Sequence, residues 1–241
     1  MTRKEIEDQL VHYSHQMHRM GWVANHDGNM SVCLSEDRFL ITPTALSKAT
    51  ITRSQLIVVN EQSQVISGRH KPFSELALHL YVYRNREDVR VVMHSHAPYA
   101  TGLAVSGQEV LPTMLPEAIV SLGERIPLIP YAAPKTPEWT MNLGPYMNDA
   151  DACTLENHGV LSFGPDLETA YLRMELVEHL ARIQCIAQQA GEVRTVPQED
   201  VENLLKARTK AGLGGAARAQ AKAKQDLKAT IEHSLRGAMS R

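Results

Sequence analysis

Two histidines at the end of a short apolar run are the residues of this sequence best suited to metal chemistry. The segment "RVVMHSHAPYA", residues 90–100, opens as a strand that carries His94 and His96 on alternate positions. Alternate side chains of a strand lie on one face of the sheet, so the two imidazoles can converge on one ion while Ser95 lies on the other face. Two unrelated surface histidines would give the same pattern, so the pair alone does not show whether this is a metal site.

A third histidine makes a metal site the preferred interpretation. His158 lies in "ENHGV" at a junction between two predicted strands, where Gly159 is expected to permit a tight turn. Three imidazoles with a fourth position left for water or substrate are typical of catalytic zinc, whereas structural zinc sites more often use cysteine pairs, and the sequence contains no CxxC. Imidazole ligands also accept Mn²⁺, Co²⁺ and Fe²⁺. Another histidine, His79, lies on a predicted helix and is expected to pack rather than bind metal.

Hairpins interleaved with helices are expected to position these histidines. The predicted helices span residues 4–20, 74–84, 98–105, 137–147 and 167–190, and besides the histidine strand the predicted strands span 30–35, 38–43, 56–60, 64–68, 152–158 and 159–164. Ser74 is the predicted N-cap of its helix. This order predicts an α/β fold, a three-layer αβα sandwich with a mostly antiparallel central sheet.

Composition points to a cytoplasmic protein without a membrane span or a bias toward nucleic acid. The 241 residues carry a net charge of -2, with 43% hydrophobic and 22% charged residues. No apolar run approaches the ~20 residues that cross a bilayer, and acidic residues occupy the N-terminal stretch where a signal peptide would be apolar. The three cysteines are far apart and odd in number, which favours a reducing compartment.

The end of the chain differs in composition from the rest. Residues 203–241 contain nine Lys and Arg against two Asp and Glu, and a glycine break at 212–215. We therefore expect a main domain over residues 1–197 and a basic, Ala- and Lys-rich helical extension over 198–241. Without an aromatic platform, the basic face is expected to be solvated or to contact a neighbouring subunit rather than to bind nucleic acid.

Five motifs, taken in order, resemble one known family. "GNMS" at 28–31, "ITPT" at 41–44, "SELALH" at 74–79, "HSH" at 94–96 and "NHG" at 157–159 follow the order seen in the class II aldolase/adducin family. The resemblance covers roughly residues 4–190. The family includes sugar-phosphate aldolases, an epimerase and decarboxylases.

The resemblance implies zinc on His94, His96 and His158, with Glu75 as the acid/base group and a candidate fourth ligand. It implies a carbon–carbon lyase of carbohydrate metabolism that acts on a small sugar, sugar phosphate or keto acid through a metal-stabilised enediolate. Aldol cleavage is the first expectation, decarboxylation of a β-keto or hydroxy acid the second and epimerisation the third. A non-catalytic adducin-like module is less favoured because all four site residues are present. The family also implies a homotetramer.

Four residues match the loops that hold phosphate in the sugar-phosphate aldolases. They are Gly28, Asn29, Thr44 and Ser74. The resemblance therefore implies that these four contact the substrate.

Three neighbouring positions depart from the family pattern. His26 replaces a small hydroxyl residue, Ala45 replaces a glycine, and Phe73 replaces a serine. Phe73 is expected to remove a donor and add bulk beside the anion, while His26 and Lys71 offer positive charge in exchange. A phosphate, a carboxylate and an unphosphorylated substrate all remain open.

Overall fold

Eight strands form one sheet in the computed structural model, which describes residues 1–239. The strands are β1 (Asn29–Ser35), β2 (Arg38–Ile41), β3 (Ile57–Val59), β4 (Val65–Ser67), β5 (Val91–Ser95), β6 (Leu128–Ile129), β7 (Ala152–Leu155) and β8 (Gly159–Gly164). Their order across the sheet is β4-β3-β2-β1-β5-β8-β7-β6. Each neighbouring pair is antiparallel except β6 and β7, which are parallel. The histidine strand β5 therefore lies in the middle of the sheet.

Eight α-helices connect and cover these strands. They are α1 (Arg3–Arg19), α2 (Leu76–Asn85), α3 (Pro98–Val105), α4 (Pro116–Leu122), α5 (Glu138–Met141), α6 (Leu167–Ala190), α7 (Gln198–Lys210) and α8 (Gly214–Met239). Short 3₁₀ turns lie at Arg53–Gln55, Pro112–Met114 and Gly144–Tyr146. Within residues 1–239, none of the helices combines the length and apolarity that crossing a bilayer requires.

Helices cover both faces of the sheet, so the predicted three-layer sandwich is confirmed. On one face, buried residues of α1, α3, α4 and α6 pack with Met93 of β5 and Val160 of β8. On the other face, α2 and α5 pack with Val92 of β5 and Leu161 of β8. Alternation along β5 thus directs Ser95 to α6, where its hydroxyl contacts Met174 Sδ, and leaves His94 on the face of α2.

The prediction that Ser74 caps a helix was wrong. Helix α2 begins at Leu76, with Glu75 at the cap position and no side-chain cap. The Ser74 hydroxyl instead donates to Glu75 Oε2 at 2.7 Å, and the first turn is closed by the Leu78 amide donating to the Glu75 carbonyl at 2.9 Å. The cap of the helix thus lies one residue later than predicted, and the Ser74 hydroxyl holds the Glu75 carboxylate instead of capping the helix.

The C-terminal region contains two helices where the sequence predicted a hinge and one helix. Helix α7 precedes the glycine break, and α8 begins at Gly214 inside it. Arg208 of α7 and Arg218 of α8 both contact Asp151, just before β7. Residues 240–241 of the predicted extension lie outside the described residues.

Candidate metal centre

Strand β5 and the turn between β7 and β8 bring the three predicted histidines together. His94 is on β5, His96 directly follows it, and His158 lies in the turn. One nitrogen from each ring lies within 4.8 Å of the others, and the ring centroids are 4.5–5.3 Å apart. Ligands about 2.0–2.1 Å from one zinc ion lie about 3.3 Å apart in a tetrahedron, so small side-chain rotations suffice to close the set.

The hydrogen bonds leave the right nitrogens free for a metal. His94 is 1% exposed, and its Nδ1 lies 3.0 Å from the Val160 carbonyl, so this nitrogen carries the proton and donates. The Nε2 atoms of His94 and His96 are buried and lack a hydrogen-bond partner. Buried polar atoms normally have a partner, and a divalent ion would supply one to both. The three residues therefore fit a metal ion.

Electrostatics also favours the neutral form of the His94 and His158 rings, which is the form that binds a metal. Burial lowers the pKa of His94 well below its usual value, and the neighbouring His158 and His96 lower it further. Burial and His96 also lower the pKa of His158, against the opposing attraction of Glu75 and Asp27. A neutral imidazole offers the lone pair that a metal needs.

Gly159 is required for space rather than for the turn. The left-handed residue of the turn is Asn157, with φ +54°, so the prediction that Gly159 permits the tight turn was wrong. A Cβ at Gly159 would lie 2.3 Å from the Ser95 carbonyl oxygen and 2.9 Å from His96 Cδ2. The absence of a side chain lets β8 approach the histidine strand.

We expect Gly159→Ala to lower metal affinity by more than about tenfold and the free energy of unfolding by about 1–3 kcal/mol, because the methyl group must displace backbone and imidazole. Chelator competition and urea denaturation measure the two effects. The matched control is Gly102→Ala in α3, where an added Cβ meets nothing within 4 Å. That variant should keep the metal and be equal or more stable. Equal metal affinity in both variants would contradict this role for Gly159.

Glu75 lies beside the histidines with its carboxylate held in place. Its Oε1 is 3.8 Å from His158 Nε2, and its Oε2 accepts hydrogen bonds from the Ser74 hydroxyl at 2.7 Å and from Asn29 Nδ2 at 3.4 Å. The Asn29 Oδ1 is buried and has no partner. A carboxylate fixed beside a metal can exchange a proton with a bound molecule.

The other predicted substrate residues lie on neighbouring loops. Gly28 has φ +69°, and a Cβ there would lie 2.3 Å from Val23 Cγ1, so the fold alone explains this glycine. The Thr44 amide donates to the Lys71 carbonyl at 3.0 Å. Among residues 1–239, no hydrogen bond or ion pair joins the exposed side chains of His26, Thr44 or Lys71 to the three histidines.

The structure shows how the chain accommodates Phe73 and Ala45, two of the residues that depart from the family pattern. The Phe73 ring is buried in the core and packs on His79 at 4.9 Å between centroids, whereas the prediction had placed its bulk beside the substrate anion. Ala45 has φ +59°, in the left-handed region where glycine is unstrained. Alanine there costs about 1–2 kcal/mol, which this chain tolerates.

Asp27 and Lys48 were missed by the sequence interpretation. Asp27 Oδ2 lies 3.5 Å from His96 Nδ1. Lys48 is 2% exposed, and burial lowers its pKa to about 8 against the attraction of Asp27 and Glu75. Asp27 directly precedes the "GNMS" motif, so the sequence could have indicated it as a candidate site residue. Lysines in loops are normally exposed, so no feature of the sequence indicated that Lys48 is buried.

A cavity of about 270 Å³ adjoins the metal centre. Its lining includes the polar residues Ser74, Glu75 and His158 and the apolar side chains of Trp139 and Leu155. The Trp139 indole lies nearly parallel to the His158 ring, at 14° and 6.0 Å between centroids. The cavity thus offers both polar and apolar groups to a small molecule.

His79 is buried next to this centre, as predicted, and does not belong to it. Its Nδ1 is 2.7 Å from the Ser31 hydroxyl, and burial lowers its pKa from 6.5 to about 3. Because the unfolded chain then binds a proton that the folded chain does not, stability should fall as pH drops from about 6.5 toward 3. Urea denaturation at several pH values should show a smaller decline for His79→Gln than for the unsubstituted protein. Equal declines would contradict this assignment.

Comparison with known proteins gives consistent matches. The model of the class II aldolase and adducin N-terminal domain matches residues 8–185. A 5-deoxy-D-ribulose 1-phosphate aldolase from Bacillus thuringiensis serovar kurstaki is 31% identical over 207 residues, 86% of this chain and 96% of that protein. A 3-oxo-tetronate 4-phosphate decarboxylase from Haemophilus influenzae is 26% identical over 208 residues, 85% of this chain and 98% of that protein. The solved structure of an L-fuculose 1-phosphate aldolase superposes with a TM-score of 0.78 at 28% identity, covering 86% of this chain and 97% of that one.

Proposed function

The chain belongs to the class II aldolase and adducin family, and from this premise we propose that it is a metal-dependent carbon–carbon lyase that cleaves a small phosphorylated sugar. The observation that carries the proposal is the pair of buried, unpartnered Nε2 atoms on His94 and His96, beside His158 and a held carboxylate. The same observation argues against a non-catalytic interaction module. Such a module needs neither free imidazole nitrogens nor an acid/base group.

In this proposal His94, His96 and His158 hold the metal, and Glu75 transfers the proton. A divalent ion held by these three histidines would supply Lewis-acid stabilisation for the negative charge that develops on the substrate oxygen when the carbon–carbon bond breaks. Glu75 takes a proton from the substrate hydroxyl and returns it to carbon, while Ser74 and Asn29 fix its Oε2. Trp139 and Leu155 line the adjoining cavity and would contact the apolar part of the substrate.

We propose a phosphorylated substrate because three kinds of relative point the same way. The aldolase from Bacillus thuringiensis, the decarboxylase from Haemophilus influenzae and the L-fuculose 1-phosphate aldolase each carry a phosphorylated substrate in their names. The residues proposed to hold the substrate remain Gly28, Asn29, Thr44 and Ser74, with His26 and Lys71 as cations. An apolar end of the substrate would face Trp139.

Zinc is the proposed metal, since three neutral imidazoles with an open position suit it. The proposed assembly is a homotetramer, on the family resemblance. We propose a cytoplasmic location, which is consistent with the free cysteines Cys33, Cys153 and Cys185.

Decarboxylation is the second candidate, favoured by the relative from Haemophilus influenzae. A screen of ketose phosphates and phosphorylated β-keto acids, with and without chelator, separates the two. We expect a ketone phosphate and an aldehyde from a ketose phosphate, lost on chelation and restored by Zn²⁺. Release of CO₂ alone would favour decarboxylation. Both candidate functions would be refuted if the purified protein contained no divalent metal and took up none when it was added.

A further inference from the structure

A buried lysine joins the two loops that lie beside the metal centre. The Lys48 Nζ donates to the carbonyl oxygens of His26 at 3.1 Å and Leu46 at 3.0 Å. One acceptor lies in the loop before β1 and the other in the loop after β2. Removing the lysine would leave two carbonyls without their donor, so these hydrogen bonds hold the loops together.

The first of these loops contacts His96 twice. The His96 amide donates to the Trp22 carbonyl at 3.0 Å, and the Asp27 carboxylate lies 3.5 Å from His96 Nδ1. A tight turn, closed by the Asp27 amide donating to the Ala24 carbonyl at 2.8 Å, sets the position of Asp27. The loop therefore approaches His96 through both backbone and side chain.

His94 and His96 are oriented by different kinds of group. The Val160 carbonyl fixes the Nδ1 of His94, but His96 lies beyond the end of β5 and has the Asp27 carboxylate at the corresponding nitrogen. A carboxylate at Nδ1 holds the proton there and leaves Nε2 as the lone-pair nitrogen. The His96 Nε2 is buried and unpartnered, as this arrangement requires.

We propose that Asp27 is a positioning residue of the metal centre, which orients His96 through Nδ1, and that Lys48 holds Asp27 in place by fixing its loop. This inference rests on the proposed metal site. Asp27 also places a second carboxylate on the His96 side of the centre, across from Glu75 on the His158 side. Lys48 is the buried cation attracted to both carboxylates.

The test measures metal binding on the purified 241-residue chain. Zn²⁺ affinity is obtained by competition with a chelating dye, and the Co²⁺ absorption spectrum reports the ligand geometry. We expect Asp27→Ala to weaken Zn²⁺ binding by about 10–100-fold and to alter the Co²⁺ spectrum. Asp27→Asn should restore part of the affinity, because its amide oxygen can also accept a proton from His96 Nδ1, which lies 3.5 Å from the Asp27 carboxylate. The matched control is Asp8→Ala, an exposed aspartate paired with Arg53 at 3.2 Å, which should bind Zn²⁺ normally.

A double-mutant cycle tests the role of Lys48. Lys48→Met should also weaken Zn²⁺ binding. The double variant with Asp27→Ala should lose less Zn²⁺ affinity than the product of the two single fold-changes. Thermal melts exclude unfolded variants, and Asp27→Ala alone decides the outcome if Lys48→Met does not fold. An Asp27→Ala affinity within twofold of the unsubstituted protein would overturn this inference. Unsubstituted protein that binds no metal would instead refute the proposed function.

Discussion

Replacing Glu75 with glutamine is expected to lower turnover by about 10²–10⁴-fold while the metal content stays unchanged. The amide oxygen of glutamine can still accept from the Ser74 hydroxyl and Asn29 Nδ2, which now bond to Glu75 Oε2. The amide cannot take up a proton at any pH near neutrality. The variant therefore removes proton transfer and leaves the shape of the centre intact.

Two measurements on the same preparation check this result. Metal is quantified by mass spectrometry after gentle purification, and turnover is followed on the substrate found in the screen. The control is Glu36→Gln, an exposed carboxylate in the β1–β2 turn, which should keep both metal and turnover. A Glu75→Gln turnover within about threefold of the unsubstituted protein would assign the proton transfer to another group, and loss of metal would assign Glu75 a ligand role.

The second large effect is expected at Asp151, far from the metal. Its carboxylate is fully buried and is contacted by four guanidinium groups at 2.6–3.3 Å, from Arg86, Arg173, Arg208 and Arg218. These charges lower the pKa of Asp151 against the effect of burial. Asp151→Ala should lower the free energy of unfolding by about 3–5 kcal/mol, because it leaves several buried cations without their shared anion.

Urea denaturation measures this loss, with Asp88→Ala as the matched control. Asp88 also pairs with Arg86, at 2.7 Å, but its side chain is 44% exposed. Solvent can replace it, so a loss of only about 1 kcal/mol is expected. Limited proteolysis adds a local readout, since Arg208 and Arg218 belong to α7 and α8. Equal losses in the two variants would show that burial of Asp151 is not the cause.

The predicted boundary between residues 1–197 and 198–241 stays a prediction. The contacts of Arg208 and Arg218 with Asp151 argue that the extension is packed on the main domain rather than loosely attached. The Val196 amide also donates to the Thr113 carbonyl at 2.8 Å just before α7. Faster cleavage within α7 or α8 in Asp151→Ala than in Asp88→Ala would support this arrangement.

Much of the fold was predictable because its elements have local signals. Helix α6 begins and ends where the sequence predicted, since its apolar residues repeat at helical spacing between Asp166 and Gly191. The strands β1 to β4 and β7 to β8 were predicted from apolar runs bounded by polar turns. The predicted extension over 198–241 did not separate α7 from α8, because the buried side of α7 is narrow, with Val201 and Arg208 as its buried residues.

For the metal centre, the sequence by itself predicted that His94 and His96 converge, since side chains two residues apart point the same way in extended chain, although β5 ends at Ser95 and His96 directly follows it. The ordered motifs added His158 and Glu75. Only the tertiary structure decided that Gly159 leaves space for the histidine strand and that Phe73 packs in the core. It also decided the contacts of Asp27 with His96, of Lys48 with two loop carbonyls and of Asp151 with four arginines. Periodicity is a property of neighbouring residues, whereas these contacts join residues far apart in the chain. The contacts of Gly159 and Asp27 with the histidine strand exist because the strand order places β8 and β1 on either side of β5.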